Sequence, residues 1–143
     1  MKREVLSLVI MVIVCINISS CRNDDSEDPT LQEQVFDVLA GEWTLSESGG
    51  VILDGQDVSL NYRGFSLSFD DGSYITSNAG DLFNASGTWE FVDEEARLLR
   101  LDNALEIRII TLSESIFEFS FFSNGVGGAA AGIGGNYVIT VGK

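Results

Sequence analysis

The residues that follow Gly41 predict an all-β fold, a small antiparallel up-and-down barrel of about eight strands with one short helix ahead of it. Two observations carry that expectation. Apolar residues alternate with a period of two through successive short runs, and turn-forming Asp, Gly, Asn and Ser separate the runs. No helical pattern falls between the runs, which disfavours a parallel sheet. A meandering antiparallel sheet of this size must close or fold over to protect its edges, and a barrel does both. A two-sheet sandwich is the alternative, though the Cys-Trp-Cys signature of immunoglobulin domains is missing. A chain of 143 residues has room for one such domain and a tail.

The chain opens with an address. Met1-Lys2-Arg3 is basic, and Val5 to Ile18 is almost wholly apolar. Such a stretch spans about 21 Å as a helix, short of the ~30 Å hydrocarbon core of a bilayer. A basic start, a short apolar run and then small residues form the signal-peptide pattern, assigned here to residues 1–20. Its end, Ile18-Ser19-Ser20-Cys21, resembles a bacterial lipobox. That resemblance implies cleavage between Ser20 and Cys21, lipidation of Cys21 and attachment to the membrane through it. Two or three acyl chains anchor a protein stably, and no later stretch reaches 18 apolar residues without polar breaks.

Residues 21–30 continue from Cys21 as a polar, acidic run, Arg22 to Thr30, with no large apolar residue. Such a run cannot offset its ordering entropy and is expected to be a flexible tether. With Asp24 and Asp25 after the Cys, it is also similar to the acidic export tag of surface lipoproteins of Bacteroidota. The expected location is then the outer membrane, with exposure at the cell surface.

The globular part is expected over residues 31–143. Leu31, Val35, Val38 and Leu39 lie on one helical face. Thr30 and Glu33 have capping-box spacing, and Gly41 suits the helix end. Trp43 to Leu45 opens the first strand, and Val51 to Leu53 and Val58 to Tyr62 are weaker candidates. Phe65 to Phe69 and Ser73 to Ser77 alternate around Asp71-Gly72, a hairpin signal. Thr88 to Val92, Arg97 to Leu101 and Leu105 to Leu112 follow, with turns at Asp93-Glu94-Glu95 and Asp102-Asn103. Ile116 to Phe122 places Phe117, Phe119 and Phe121 on one face, expected to point inward, and Tyr137 to Val141 is the last strand. Asn124 to Asn136 is uncharged and Gly-rich. It reads as a loop joining the last two strands or as a lid over the barrel mouth.

Gly41-Glu42-Trp43, after a short helix, looks like the Gly-x-Trp motif of lipocalins. Phe65 to Tyr74, Gly87 to Phe91 and Gly135 to Val141 are similar to lipocalin-like domains of Bacteroidota lipoproteins. The resemblance covers residues 31–143. It implies a helix that plugs one barrel end with Trp43 packed beneath it. True lipocalins are longer and often carry a disulfide; the many Phe of this shorter chain favour a filled interior.

Composition limits the chemistry. The chain has no His and a net charge of −14. His-based triads and imidazole metal sites are excluded, and nucleic acid is disfavoured because phosphate must be met by Lys and Arg. After removal of residues 1–20, Cys21 is the only Cys and Lys143 the only Lys, so no thiol or internal amine is left for covalent catalysis. The carboxylates Asp54, Asp57, Asp70, Asp71, Asp93, Glu94 and Glu95 sit at expected turns, where Asp is favoured for backbone reasons. No EF-hand or P-loop spacing is present. No catalytic residue, metal or cofactor is therefore expected. Tyr62, Arg63, Tyr74 and Trp89 are the candidate ligand or rim residues, and Arg97, Arg100 and Arg108 are candidates for anions or for pairing with surface acids. The leading expectation is a non-enzymatic, lipid-anchored envelope protein that binds a small apolar ligand or assists a surface complex. The alternative is an acidic binder of cationic proteins or peptides such as lysozyme. A carboxylate hydrolase is a third and weaker reading.

Overall fold

The computed structural model describes residues 28–125 and 133–143. The leader at 1–20, the Ser20–Cys21 junction, most of the tether and the centre of the Gly-rich segment lie outside the described residues. No described helix is long and apolar enough to cross a membrane.

Helix α1 (Leu31–Leu39) begins as its sequence predicts. The Thr30 hydroxyl accepts the Glu33 N–H at 3.2 Å, and the Glu33 carboxylate accepts the Thr30 N–H at 2.7 Å. Two backbone donors that a helix start leaves unpaired are thus satisfied. The helix end differs from expectation. Gly41 is not its cap: Ala40 ends the helix with ψ 142, and Gly41, at φ 105, already opens the first strand. The last carbonyls are met instead by the other end of the chain. Lys143 Nζ donates to the carbonyls of Val38 and Ala40 at 2.7 and 2.8 Å and stands 4.3 Å from the Trp43 ring centroid. A cation there complements the helix dipole and the aromatic face together.

Ten strands follow: β1 (Gly41–Thr44), β2 (Gly50–Leu53), β3 (Gln56–Asp57), β4 (Ser66–Asp70), β5 (Ser73–Ser77), β6 (Ser86–Phe91), β7 (Leu98–Leu101), β8 (Leu105–Leu112), β9 (Ile116–Ser123) and β10 (Gly135–Gly142). β1 and then β4 to β10 pair antiparallel in that order, and Thr44 opposite Gly142 closes the ring. The result is a closed eight-stranded antiparallel barrel with one short helix, the lipocalin-like architecture. β2 continues along the same edge of β10 beyond β1, from Gly50 opposite Thr140 to Leu53 opposite Tyr137, and β3 pairs with β2.

One expected strand is not formed. Residues Ser59–Tyr62 make a 3-10 turn in place of a strand over Val58 to Tyr62. The Asp57 carboxylate takes the N–H and the hydroxyl of Ser59, and the Ser59 hydroxyl oxygen accepts the Val51 N–H at 2.9 Å. Local side-chain bonds of this kind compete with a sheet ladder, and they stop β3 after two residues.

The inward stripes are those the period-two pattern selects. Phe117, Phe119, Phe121, Tyr137, Ile139 and Val141 are buried, while Glu106 and Arg108 face out beside buried Ile107. Phe117 and Phe119 stack at 4.6 Å, and Phe121 stacks on Tyr137 at 5.2 Å. Trp43 is fully buried under α1 and donates Nε1–H to the Leu39 carbonyl at 2.8 Å. Every buried apolar residue of the described structure falls between Leu39 and Val141. The core fills the barrel from the helix end upward, with half-buried Phe36 of α1 packed against it.

Candidate functional site

The end of the barrel away from α1 carries the site, and residues 78–85, between β5 and β6, build its floor. Ala79, Leu82 and Phe83 of this segment are buried. The Phe83 ring enters the mouth and meets Phe121, Phe65 and Phe119 at centroid distances of 5.1, 6.0 and 6.2 Å. Polar tethers hold the segment down. Thr76 Oγ1 donates to the Asn84 carbonyl at 2.8 Å, and Asn78 Nδ2 donates to the Gly64 carbonyl at 2.9 Å. The barrel is therefore stopped at both ends, by Trp43 and α1 below and by Phe83 above.

Asp102 joins this floor to the wall. It sits in the β7–β8 turn with Asn103, both at positive φ (52 and 58), as a tight hairpin turn requires. Its carboxylate accepts the Tyr74 hydroxyl at 2.5 Å, Asn84 Nδ2 at 2.8 Å and the Thr88 N–H at 2.9 Å. Gly87 lies directly beneath, where a Cβ would overlap the carboxylate. Burial pushes the Asp102 carboxyl up, but the bonds from Tyr74, Thr88 and Asn84 together hold it below its ordinary value. The Tyr74 hydroxyl is pushed up, first by burial and then by its bond to Asp102. A carboxyl with a depressed folded pKa binds protons more weakly folded than unfolded. Its stabilising contribution is complete above the unfolded value of about 3.9 and is lost as pH falls through the folded one. Asp102→Asn is thus expected to lower the urea midpoint most at neutral pH. The gap from the unsubstituted chain should shrink as pH falls below the unfolded value and through the lower folded one, beyond which both carry an uncharged side chain.

Above this floor opens a cleft of about 1240 Å³. Leu82, Phe83, Leu105 and Phe121 give it an apolar base, and Tyr74, Asn84, Asp102, Asn124 and Asn136 bring polar groups to its walls. It passes over the rim to outward-facing Arg108, Ser120, Phe122 and Val138. A second cleft of about 720 Å³ lies between α1 and the β7–β8 side, lined by Leu31, Val35, Val38, Ile109 and Leu112 among others.

The residues singled out from the sequence are not brought to one place. Tyr74 lines the cleft. Tyr62 stands behind it, with its ring against Gly80; burial first, then Tyr137 and Asp81, push its hydroxyl up to about 12. Arg63 is exposed. Trp89 packs near the helix, edge-on to Phe69 and tilted against Phe36, with Nε1–H donated to the Asp70 carbonyl at 2.8 Å. Gly41 and Trp43 serve the helix plug. Arg100 pairs with Glu90 and Glu106 at 3.2 and 2.8 Å, the ion pairs found among the described residues. Several turn acids are engaged with backbone: Asp54 with Asn136, Asp57 with Ser59, and Asp93 with the N–H groups of Arg97 and Leu98.

Phe83, Asn84 and Asp102 did not stand out in the sequence. The signal available was Leu82-Phe83, an apolar pair inside a segment otherwise rich in Gly, Asn and Asp. No family model matches the chain, and neither does any curated protein or solved structure. Chemically, the cleft offers an apolar floor with a few fixed polar groups, the usual make-up of a small-molecule site.

Proposed function

We propose that this chain is a non-enzymatic, lipid-anchored envelope protein that holds a small, largely apolar ligand in the cleft at its barrel mouth. The cleft carries the reading. With aromatic side chains filling the barrel axis and Phe83 seated in the mouth, the space for a ligand is above Phe83 and Phe121. Anchoring through Cys21 and an outer-membrane, surface-exposed location rest on the lipobox-like end of the leader and on Asp24 and Asp25. A non-catalytic role is supported by Asp54, Asp57 and Asp93, each of which has a carboxylate oxygen taken up by backbone N–H groups.

The test is native mass spectrometry of residues 22–143, made without lipid and exposed to an envelope lipid extract and a sugar pool. A retained mass in one-to-one ratio is expected with the lipid extract. A bare mass from both overturns the ligand reading. That result favours the second reading, capture of a cationic protein such as lysozyme. Beyond Glu90 and Glu106, no described acid is in an ion pair, and such capture would weaken steeply with salt.

A further inference from the structure

We propose that the cleft takes an amphiphile with an anionic oxygen head group, and that Arg108 receives the head on the outer wall of the barrel. The inference rests on the cleft being the ligand site. Cross-strand register sets Leu98, Arg108, Ser120 and Val138 in one row over β7 to β10. All four border the cleft. Arg108 and Ser120 are direct neighbours on antiparallel strands, where Cβ atoms stand about 4.5–5.5 Å apart. A guanidinium and a hydroxyl at that spacing can donate to one oxyanion.

Unmet capacity is what selects the head group. In a chain of net charge −14, Arg108 has no acidic partner among the described residues. Two of the three acids that line the cleft are already committed. Asp102 accepts three donors, and Glu106 is bonded to Arg100 at 2.8 Å. The remaining acid of the cleft, Asp81, belongs to the floor segment beside Tyr62. An ammonium head would find Asp102 and Glu106 taken and only Asp81, in the floor, open to it, whereas an anion finds a guanidinium with no acidic partner among the described residues. The apolar part of the ligand is provided for as well. Phe122 shares the outer face with Ser120 and is 58% exposed, and the cleft continues from it to Leu105 and Phe121.

Four eight-carbon probes separate the possibilities by calorimetric titration of residues 22–143, the span that holds the whole described core. Octanoate and octyl phosphate are expected to bind at least tenfold tighter than octanol and octylammonium. Arg108→Gln should bring both anions down to the level of octanol and leave octanol unchanged. Arg63→Gln, at an exposed arginine outside the cleft lining, should change neither. Octanol binding with no gain for the anions, or anion binding indifferent to Arg108→Gln, overturns the head-group assignment and leaves the cleft reading intact. Binding of none of the four overturns both.

Discussion

Phe119→Ala is expected to lower the unfolding free energy by about 3–5 kcal/mol. Phe119 is fully buried, sits between Phe117 and Phe121 on β9, and faces Ile109 and Ile139 across the two neighbouring strands. Its ring also touches the Phe83 ring that stops the mouth. Truncation removes transfer free energy and leaves a void that the closed ring of strands can collapse into only partly. Urea unfolding at an unchanged m-value is the check. A loss under about 1 kcal/mol would mean that this stripe is not core.

Trp43→Ala should cost a similar amount, about 3–5 kcal/mol, for a different set of reasons. Trp43 ties together three parts of the chain that are distant in sequence. Its Nε1–H meets the last turn of α1, its face takes Lys143, and its ring lies 5.5 Å from that of Phe117. Trp43→Phe separates these parts. It keeps most of the packing and leaves the Leu39 carbonyl without its donor, for an expected loss of about 1–3 kcal/mol. If the Ala variant unfolds at the same urea concentration as the unsubstituted chain, the helix does not plug the barrel.

The alternation of Leu105 to Ile109 and the Phe117/Phe119/Phe121 stripe are readable because side-chain direction in a strand has a period of two, which a bulge between Ile109 and Thr111 interrupts before Leu112. The capping box of α1 was readable because Thr30 and Glu33 bond to each other within one turn. What the sequence hid was long-range. The line that β2 takes along β10 joins residues about ninety positions apart, and nothing local announces it. The 3-10 turn at Ser59–Tyr62 is hidden in the sequence because Val58, Leu60 and Tyr62 alternate like a strand, while Asp57 binds Ser59 and wins locally.

The site was less legible than the fold for the same reason. Tyr74 stands out in the sequence, but its partner Asp102 is twenty-eight residues away and looks there like a turn residue alone. Arg108 and Ser120 meet through strand register alone. Trp89, a candidate for the rim, packs close to the helix because Phe36 and Phe69 offer it an aromatic pocket there.

Aromatic side chains fill the barrel, and the proposed ligand stays above Phe83. A backbone and methyl chemical-shift map of residues 22–143 titrated with octanoate tests this directly. Shifts are expected at Asn84, Leu105 and Phe122, around the cleft, with Leu99, Ile107 and Ile139 along the barrel axis unmoved. Shifts led by Leu99, Ile107 and Ile139 would place the ligand inside the barrel and contradict it.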